Sequence, residues 1–324
     1  MKFSKRTHPT RYSEVHTWAS CRMKWYWSYH LNLEPKYVSD TIRRGVLGHV
    51  ALATLDQGGD VRRAVYHESR KYVVAVTFDG VTLADDSKSL DHLLTSVIDQ
   101  TEMYDSFYAR WNRVLAVEQK MVFKVQGVQL PFNFTIDAIV EDRYGLWVVE
   151  RKWVDQFRSP EMFDLDSQFS IYTMGARAMG FPVKGVIVDQ VGPMPAWPKL
   201  NKDGTVSKAY RGDQLTLDRW HMLSGVNRSA SADLETPPLN KQFERYVVQR
   251  SDKSNMAFIE DLKPKVSSMK SVNKDIYMTD DRIRCKTCQF RELCIEKMRG
   301  RTEQDIQDLI SMKFRTKEPQ YNGN

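Results

Sequence analysis

Between residues 88 and 113 the apolar positions Leu90, Leu93, Leu94, Val97 and Ile98 recur every three or four residues, the spacing of an amphipathic helix. Residues 11–31 and 39–56 also read as helices. The first is rich in aromatics, with Trp18, Trp25, Tyr26 and Trp27. The second has Ser39 or Asp40 as N-cap and Gly58-Gly59 as its stop. A further helix is predicted over 60–78. The period then changes to two. Residues 114–126 and 129–141 alternate around Gly127 as a hairpin would, Tyr144-Gly145 makes a turn, and 146–154 reads as a third strand. A helix follows over 161–180, with Gly180 and Pro182 as stop signals, and "VKGVIVDQV" (183–191) is a short apolar strand. The order β-β-β-α-β predicts an α/β core whose central mixed sheet is flanked by helices.

Beyond the core, prolines and an Asp203-Gly204 turn mark 192–210 as an irregular excursion with a small hairpin. A helix is expected over 213–225, a strand over 243–251, a helix over 253–271 and a disordered tail from 316.

Composition narrows the class. The chain has 324 residues, 41% hydrophobic and 27% charged, enough for a folded core in one large domain or two smaller ones. No apolar run approaches the roughly 20 residues of a membrane span. "MKFSKRTHPTRYSEV" carries no apolar stretch behind its basic residues, so no secretory signal is read there. The expected compartment is the cytoplasm, where thiols stay reduced. A net charge of +7 and a pI of about 9.1 favour a polyanionic partner, though only weakly.

The candidate chemistry lies in "WVVERKW" (147–153), a strand of aromatic and β-branched residues interrupted by Glu150, Arg151 and Lys152. Charges inside a sheet are costly unless paired or binding something. Period two puts Glu150 and Lys152 on one face. On the preceding strand Phe132, Phe134, Ile136, Ala138 and Val140 are expected to share a face, with Asp137 on the other, beside Glu150. Two carboxylates and a lysine would suit a hard cation such as Mg²⁺ or Mn²⁺. A solvated sheet face with a surface ion pair is the plainer reading of the same residues. Gly45 and His49 stand four apart on one helix face, as do Gln168 and Tyr172 on the helix after the charged strand.

In this order, Gly45 and His49, Asp137, Glu150 and Lys152, then Gln168 and Tyr172 resemble the motifs of the RecB-like branch of the PD-(D/E)XK nuclease superfamily, across most of residues 11–191. The resemblance implies a restriction-endonuclease-like core and metal-dependent DNA cleavage. His49, Asp137, Glu150 and the backbone carbonyl of Arg151 would hold the metal, Lys152 would be the catalytic lysine, and Gln168 and Tyr172 would contact DNA. Members often read D-Y-K-T where this chain reads E-R-K-W, which leaves the packing around Arg151 and Trp153 open.

Cys285, Cys288 and Cys294 form C-x2-C-x5-C, and Cys21 is the only other cysteine. One four-thiolate site would use all of them, and it suits either zinc or an iron–sulfur cluster. One cysteine before the nuclease core and three after it resembles the iron–sulfur subset of RecB-like nucleases, including the AddB nuclease domain and CRISPR-associated RecB-like exonucleases. That resemblance implies a structural [4Fe–4S] cluster clipping the N- and C-terminal segments together. The stretch 192–212 also resembles one in phage-encoded nucleases of this type.

The expectation is therefore one nuclease domain, 1–315, followed by a disordered tail, 316–324. Within it, 11–31 and 281–298 form an iron–sulfur subdomain, 39–191 the catalytic core, and 192–280 an accessory hairpin and helices. The expected activity is Mg²⁺- or Mn²⁺-dependent DNA exonuclease action on single-stranded ends, with endonuclease action also open, in a bacterial or phage-infected cell. Arg43 and Arg44 are candidate DNA contacts. G-x-x-x-x-G-K-[ST] is absent, so unwinding would need a helicase partner; a recombination or replication protein is the other partner class. The alternative is a non-catalytic or zinc-stabilised DNA-binding or assembly protein of the same fold.

Overall fold

The computed structural model describes residues 9–72, 76–78, 81–83, 87–108, 111–192, 242–271, 274–279 and 281–317. The excursion and helix expected between 193 and 241, and the tail from 318, lie outside them. Five strands form the central sheet in the order β4-β5-β6-β7-β8: β4 (Arg113–Phe123), β5 (Phe132–Asp142), β6 (Gly145–Trp153), β7 (Gly185–Val191) and β8 (Phe243–Gln249). All neighbours are antiparallel except β6 and β7, which run parallel. A parallel pair needs a crossover. Here it is made by α6 (Pro160–Asp164) and α7 (Gln168–Ala178). Strand β7 is buried along its whole length, which explains its near-continuous apolar run.

Helices cover both faces. On one side α3 (Asp40–Asp56), α4 (Val61–Ser69) and α5 (Ser87–Phe107) bury Leu47, Leu52, Leu94 and Ile98 with Trp153, Val191 and Phe243 of the sheet. On the other, α1 (Tyr12–Ser20), α7 and α8 (Asp252–Lys270) pack Val15, Trp18, Phe169, Ile171, Phe258 and Leu262 against Phe132, Ile136, Val148, Val186 and Val188. Fully burying each such side chain contributes roughly 1.5–3 kcal/mol, so these two clusters dominate stability.

The chain ends meet in a third cluster. There α2 (Arg22–Trp25) and a π-helical turn over Tyr26–His30 bring Met23 and Trp27 against Phe290, Leu293, Ile306 and Phe314. Those partners come from α10 (Arg291–Met298), which follows α9 (Arg282–Lys286), from α11 (Glu303–Lys313), and from the segments beside them. Strand β1 (Leu33–Pro35) pairs antiparallel with β9 (Phe314–Thr316). Residue 316 is therefore in a strand and Lys317 N–H donates to the Asn32 carbonyl at 2.8 Å, so residues 316 and 317 are ordered rather than part of the tail expected from 316.

Three long helices read from periodicity are broken. The 11–31 helix divides at Cys21, whose backbone is extended and whose sulfur accepts the Lys24 amide at 3.4 Å. The 161–180 helix divides before Gln168, whose amide donates to the Asp166 carboxylate at 2.9 Å. The 60–78 helix ends at Ser69, and Val76–Phe78 (β2) instead pairs with Val81–Leu83 (β3). Short side-chain caps interrupt an apolar periodicity without disturbing it.

Candidate active site

The β5–β6 ladder runs from Asp142–Gly145 up to Ala138–Val149 and then opens. One step beyond stand Asp137 and Glu150. Here the Arg151 amide donates not to a strand carbonyl but to Asp137 Oδ2, at 2.7 Å. The opposite neighbour is irregular too. Gln119 faces Ile136 and Val117 faces Ala138, so Glu118 of β4 stands across from Asp137. Its φ is +48°, a left-handed backbone that a non-glycine residue adopts at a cost. The expected alternation along β5 fails at this point: Ile136 and Ile139 share the cluster under α7, whereas Ala138 and Val140 lie in another with Trp147 and Val149. A kink of this kind re-aims side chains, as β-bulges do beside active sites.

Helix α3 brings His49 to the same fork, its Nδ1 3.4 Å from Asp137 Oδ2. Asp137 and Glu150 are almost fully buried, 8% and 4% exposed. Lys152 forms an ion pair with Glu150 Oε1, while Oε2 is buried with no hydrogen-bond partner. Burial pushes the Glu150 carboxyl up to about 7; Lys152 opposes this and the Asp137 charge adds to it. Burial also works against the Lys152 ammonium, but Glu150 outweighs it and holds its pKa above the ordinary value. Asp137 goes the other way: burial would raise it, and His49 with the Arg151 amide brings it below the usual range. His49 correspondingly lies above its ordinary value, the carboxylates overcoming its burial.

Gln168 and Tyr172 meet as expected from their spacing, the Gln168 amide donating to the Tyr172 hydroxyl. Tyr172 stacks on Phe134 with ring centroids 5.4 Å apart. Burial raises its pKa well above 10, followed by the Glu150 and Asp137 charges, so the phenol stays protonated beside the carboxylates.

Arg151, between the two site residues of β6, is 1% exposed and its guanidinium binds Asp56 at 2.6 Å. Arg43 pairs with Asp40 at 3.3 Å, and Arg44 with Asp155 at 2.7 Å. Both guanidiniums thus reach the protein's own carboxylates. One residue was missed. His49, Glu118 and Asp137 each place a ligand atom within 4.8 Å of the others, the one such trio among the described residues. The signal was available: a hairpin centred on Gly127 puts Glu118 opposite Asp137.

A bare buried carboxylate oxygen, two further carboxylates and an imidazole make a donor set that fits a divalent cation, with the nitrogen suiting Mn²⁺ better than Mg²⁺. The four cysteines are free thiols. Cys294 is pushed up to about 11, first by burial, with Cys288, Cys21 and Cys285 also raising it. Cys21, Cys285 and Cys288 thus lie within electrostatic reach of Cys294, and thiolates are soft ligands suited to a thiophilic metal or cluster.

An arrangement of this kind belongs to hydrolases that work through a bound cation on a mixed sheet. A profile of the PD-(D/E)XK nuclease superfamily matches residues 12–295, and the chain belongs to that superfamily. Family membership implies phosphodiester hydrolysis with divalent metals such as Mg²⁺ or Mn²⁺, and DNA as substrate. No curated protein matches the sequence. A solved structure titled "Crystal structure of SSO0001" is similar over 84% of this chain and 94% of its own, at 11% identity and a TM-score of 0.32, too distant to carry an argument. No described helix is long and apolar enough to cross a membrane.

Proposed function

We propose that the protein is a RecB-like DNA exonuclease acting on single-stranded ends, with a structural [4Fe–4S] cluster on its four cysteines. The reading rests on the convergence of Asp137, Glu150, Lys152 and His49 at the opened end of the β5–β6 ladder. His49, Asp137, Glu150 and the Arg151 carbonyl would hold the cation. A divalent cation there would polarise the scissile phosphate and ease ionisation of water. Asp137 is held ionised by His49 and the Arg151 amide, ready to act as a ligand. Lys152 keeps its proton and stabilises the charge that develops on phosphorus. Gln168 and Tyr172 orient the strand, and the net charge of +7 favours its approach. Cys21, Cys285, Cys288 and Cys294 would hold the cluster, which would add to the apolar contacts already joining the chain ends. The enzyme works in the cytoplasm of a bacterial or phage-infected cell, and a helicase or recombination or replication protein supplies its single strands.

The test uses anaerobically purified protein on end-labelled and circular single strands, with Mg²⁺, Mn²⁺ and EDTA. The expected result is a brown protein that degrades labelled ends, spares circles and is silent in EDTA. Full activity in EDTA would remove the metal-dependent reading. A colourless protein holding zinc would replace the iron–sulfur assignment and leave the nuclease site untouched.

A further inference from the structure

We propose that Glu118, on the strand before the motif aspartate, is an additional divalent-cation ligand, completing a position with His49 and Asp137. The inference rests on the metal-dependent reading above and extends it to a residue outside the motifs.

The three donor atoms lie within 4.8 Å of one another, close enough to surround one ion. They come from three elements, α3, β4 and β5, so the grouping is a property of the fold rather than of one acidic run. Among the described residues no lysine or arginine forms an ion pair with Glu118, although it faces Asp137 across the sheet. Burial and the Asp137 charge both disfavour the ionised Glu118, His49 and Arg151 oppose them only in part, and its left-handed backbone adds a further cost. A residue kept at such a cost calls for a compensating charge. A second observation points the same way: Glu150, 4% exposed and level with Asp137 just beyond the end of the β5–β6 ladder, keeps Oε2 buried without a hydrogen-bond partner. Glu118 is exposed, His49 half-buried and Asp137 buried. It therefore forms the solvent side of the position, where an ion exchanges with bulk water while Asp137 anchors it from within.

The experiment measures Mn²⁺ binding to the full chain by calorimetry without DNA, comparing wild type with Glu118→Gln and Asp137→Asn. Glu118→Gln keeps size and hydrogen-bonding shape, so the fold should survive; circular dichroism verifies it. The expected loss is about tenfold or more in Mn²⁺ affinity. It should persist at about 0.5 M salt, where the field of a distant charge is screened but direct ligation is not. The metal-free variant should melt higher than wild type, because the repulsion is gone, and should gain less from Mn²⁺. If Glu118→Gln binds Mn²⁺ as wild type does while Asp137→Asn loses it, Glu118 is not a ligand and the nuclease reading stands. A loss that vanishes in high salt would likewise overturn direct ligation. If wild type binds no Mn²⁺, both the inference and the metal-dependent reading fail together.

Discussion

Two glycines three residues apart on α3 should respond oppositely to the same substitution. A Cβ on Gly48 would lie 2.0 Å from the Trp153 ring, and Trp153 is a buried member of the core beneath α3. A Cβ on Gly45 meets nothing within 4 Å. Replacing a mid-helix glycine by alanine contributes roughly 0.5–1 kcal/mol wherever there is space. Overpacking a filled core costs about 1–3 kcal/mol. Gly45→Ala should therefore stabilise by up to about 1 kcal/mol. Gly48→Ala should destabilise by up to about 2 kcal/mol after the same helical gain is credited. At about 2 °C per kcal/mol for a chain of this size, the two variants should melt about 2–6 °C apart, on opposite sides of wild type.

The consequence reaches the site, because Gly48 adjoins His49 and Trp153 lies three residues beyond Glu150. Pushing α3 off β6 moves the imidazole away from Asp137, now 3.4 Å distant. Gly48→Ala should thus lose Mn²⁺ affinity as well as stability, while Gly45→Ala keeps its affinity. Differential scanning fluorimetry with and without Mn²⁺ reads both. A Gly48→Ala protein with wild-type melting temperature, or a Gly45→Ala protein as damaged as Gly48→Ala, would refute the packing argument.

Three further outcomes follow from the buried charges and thiols. Glu150, raised to about 7 in the folded protein, holds a proton there that the unfolded chain has released above about 4.5; metal-free stability should fall as pH rises from about 5 to 7, by at most about 3 kcal/mol. Glu150→Gln should flatten that decline in urea unfolding across pH, and an unchanged slope would place its origin elsewhere. Asp56→Asn would strip Arg151 of its partner, costing about 3 kcal/mol; wild-type stability in that variant would show the pair to be idle. Cys288→Ala should bleach the protein, lower its melting temperature and expose its ends to protease, since metal-binding energy is folding energy in such a clip; full iron content would dissolve the cluster assignment.

Much of this was legible in the sequence because the elements that matter obey strong periodicities. The hairpin around Gly127, the strand 146–154 and the strand 183–191 each appear within three residues of their predicted bounds at the core of the sheet. What escaped was local and polar. The hairpin around Gly127 puts Glu118 opposite Asp137, but nothing in the alternation of the strand announces its left-handed backbone. The pairing of Arg43 with Asp40 and of Arg44 with Asp155 was likewise outside what pattern alone shows. Gly45 holds the motif position, yet Gly48 is the glycine the packing demands, a distinction that needs Trp153 in place.

The departures in "ERKW" then find a physical account. Arg151 and Trp153 alternate with Glu150 and Lys152, so they project toward α3 while the other pair occupies the cleft. Arg151 grips Asp56 at the C-terminal end of α3, and Trp153 fills the space that Gly48 leaves near its middle. His49 lies between these two fastenings and meets Asp137. One helix is thus held to β6 at two points and delivers its imidazole at a third. A buried ion pair contributes little net stability, because desolvation offsets its attraction, but it penalises every arrangement in which the partners separate. Its value here is positional. Asp137 already spends one oxygen on the Arg151 amide and His49, and a cation held by such a set tolerates little drift of the imidazole. Two residues that depart from the family pattern therefore serve the same site as those that match it, by fixing the helix that carries the histidine.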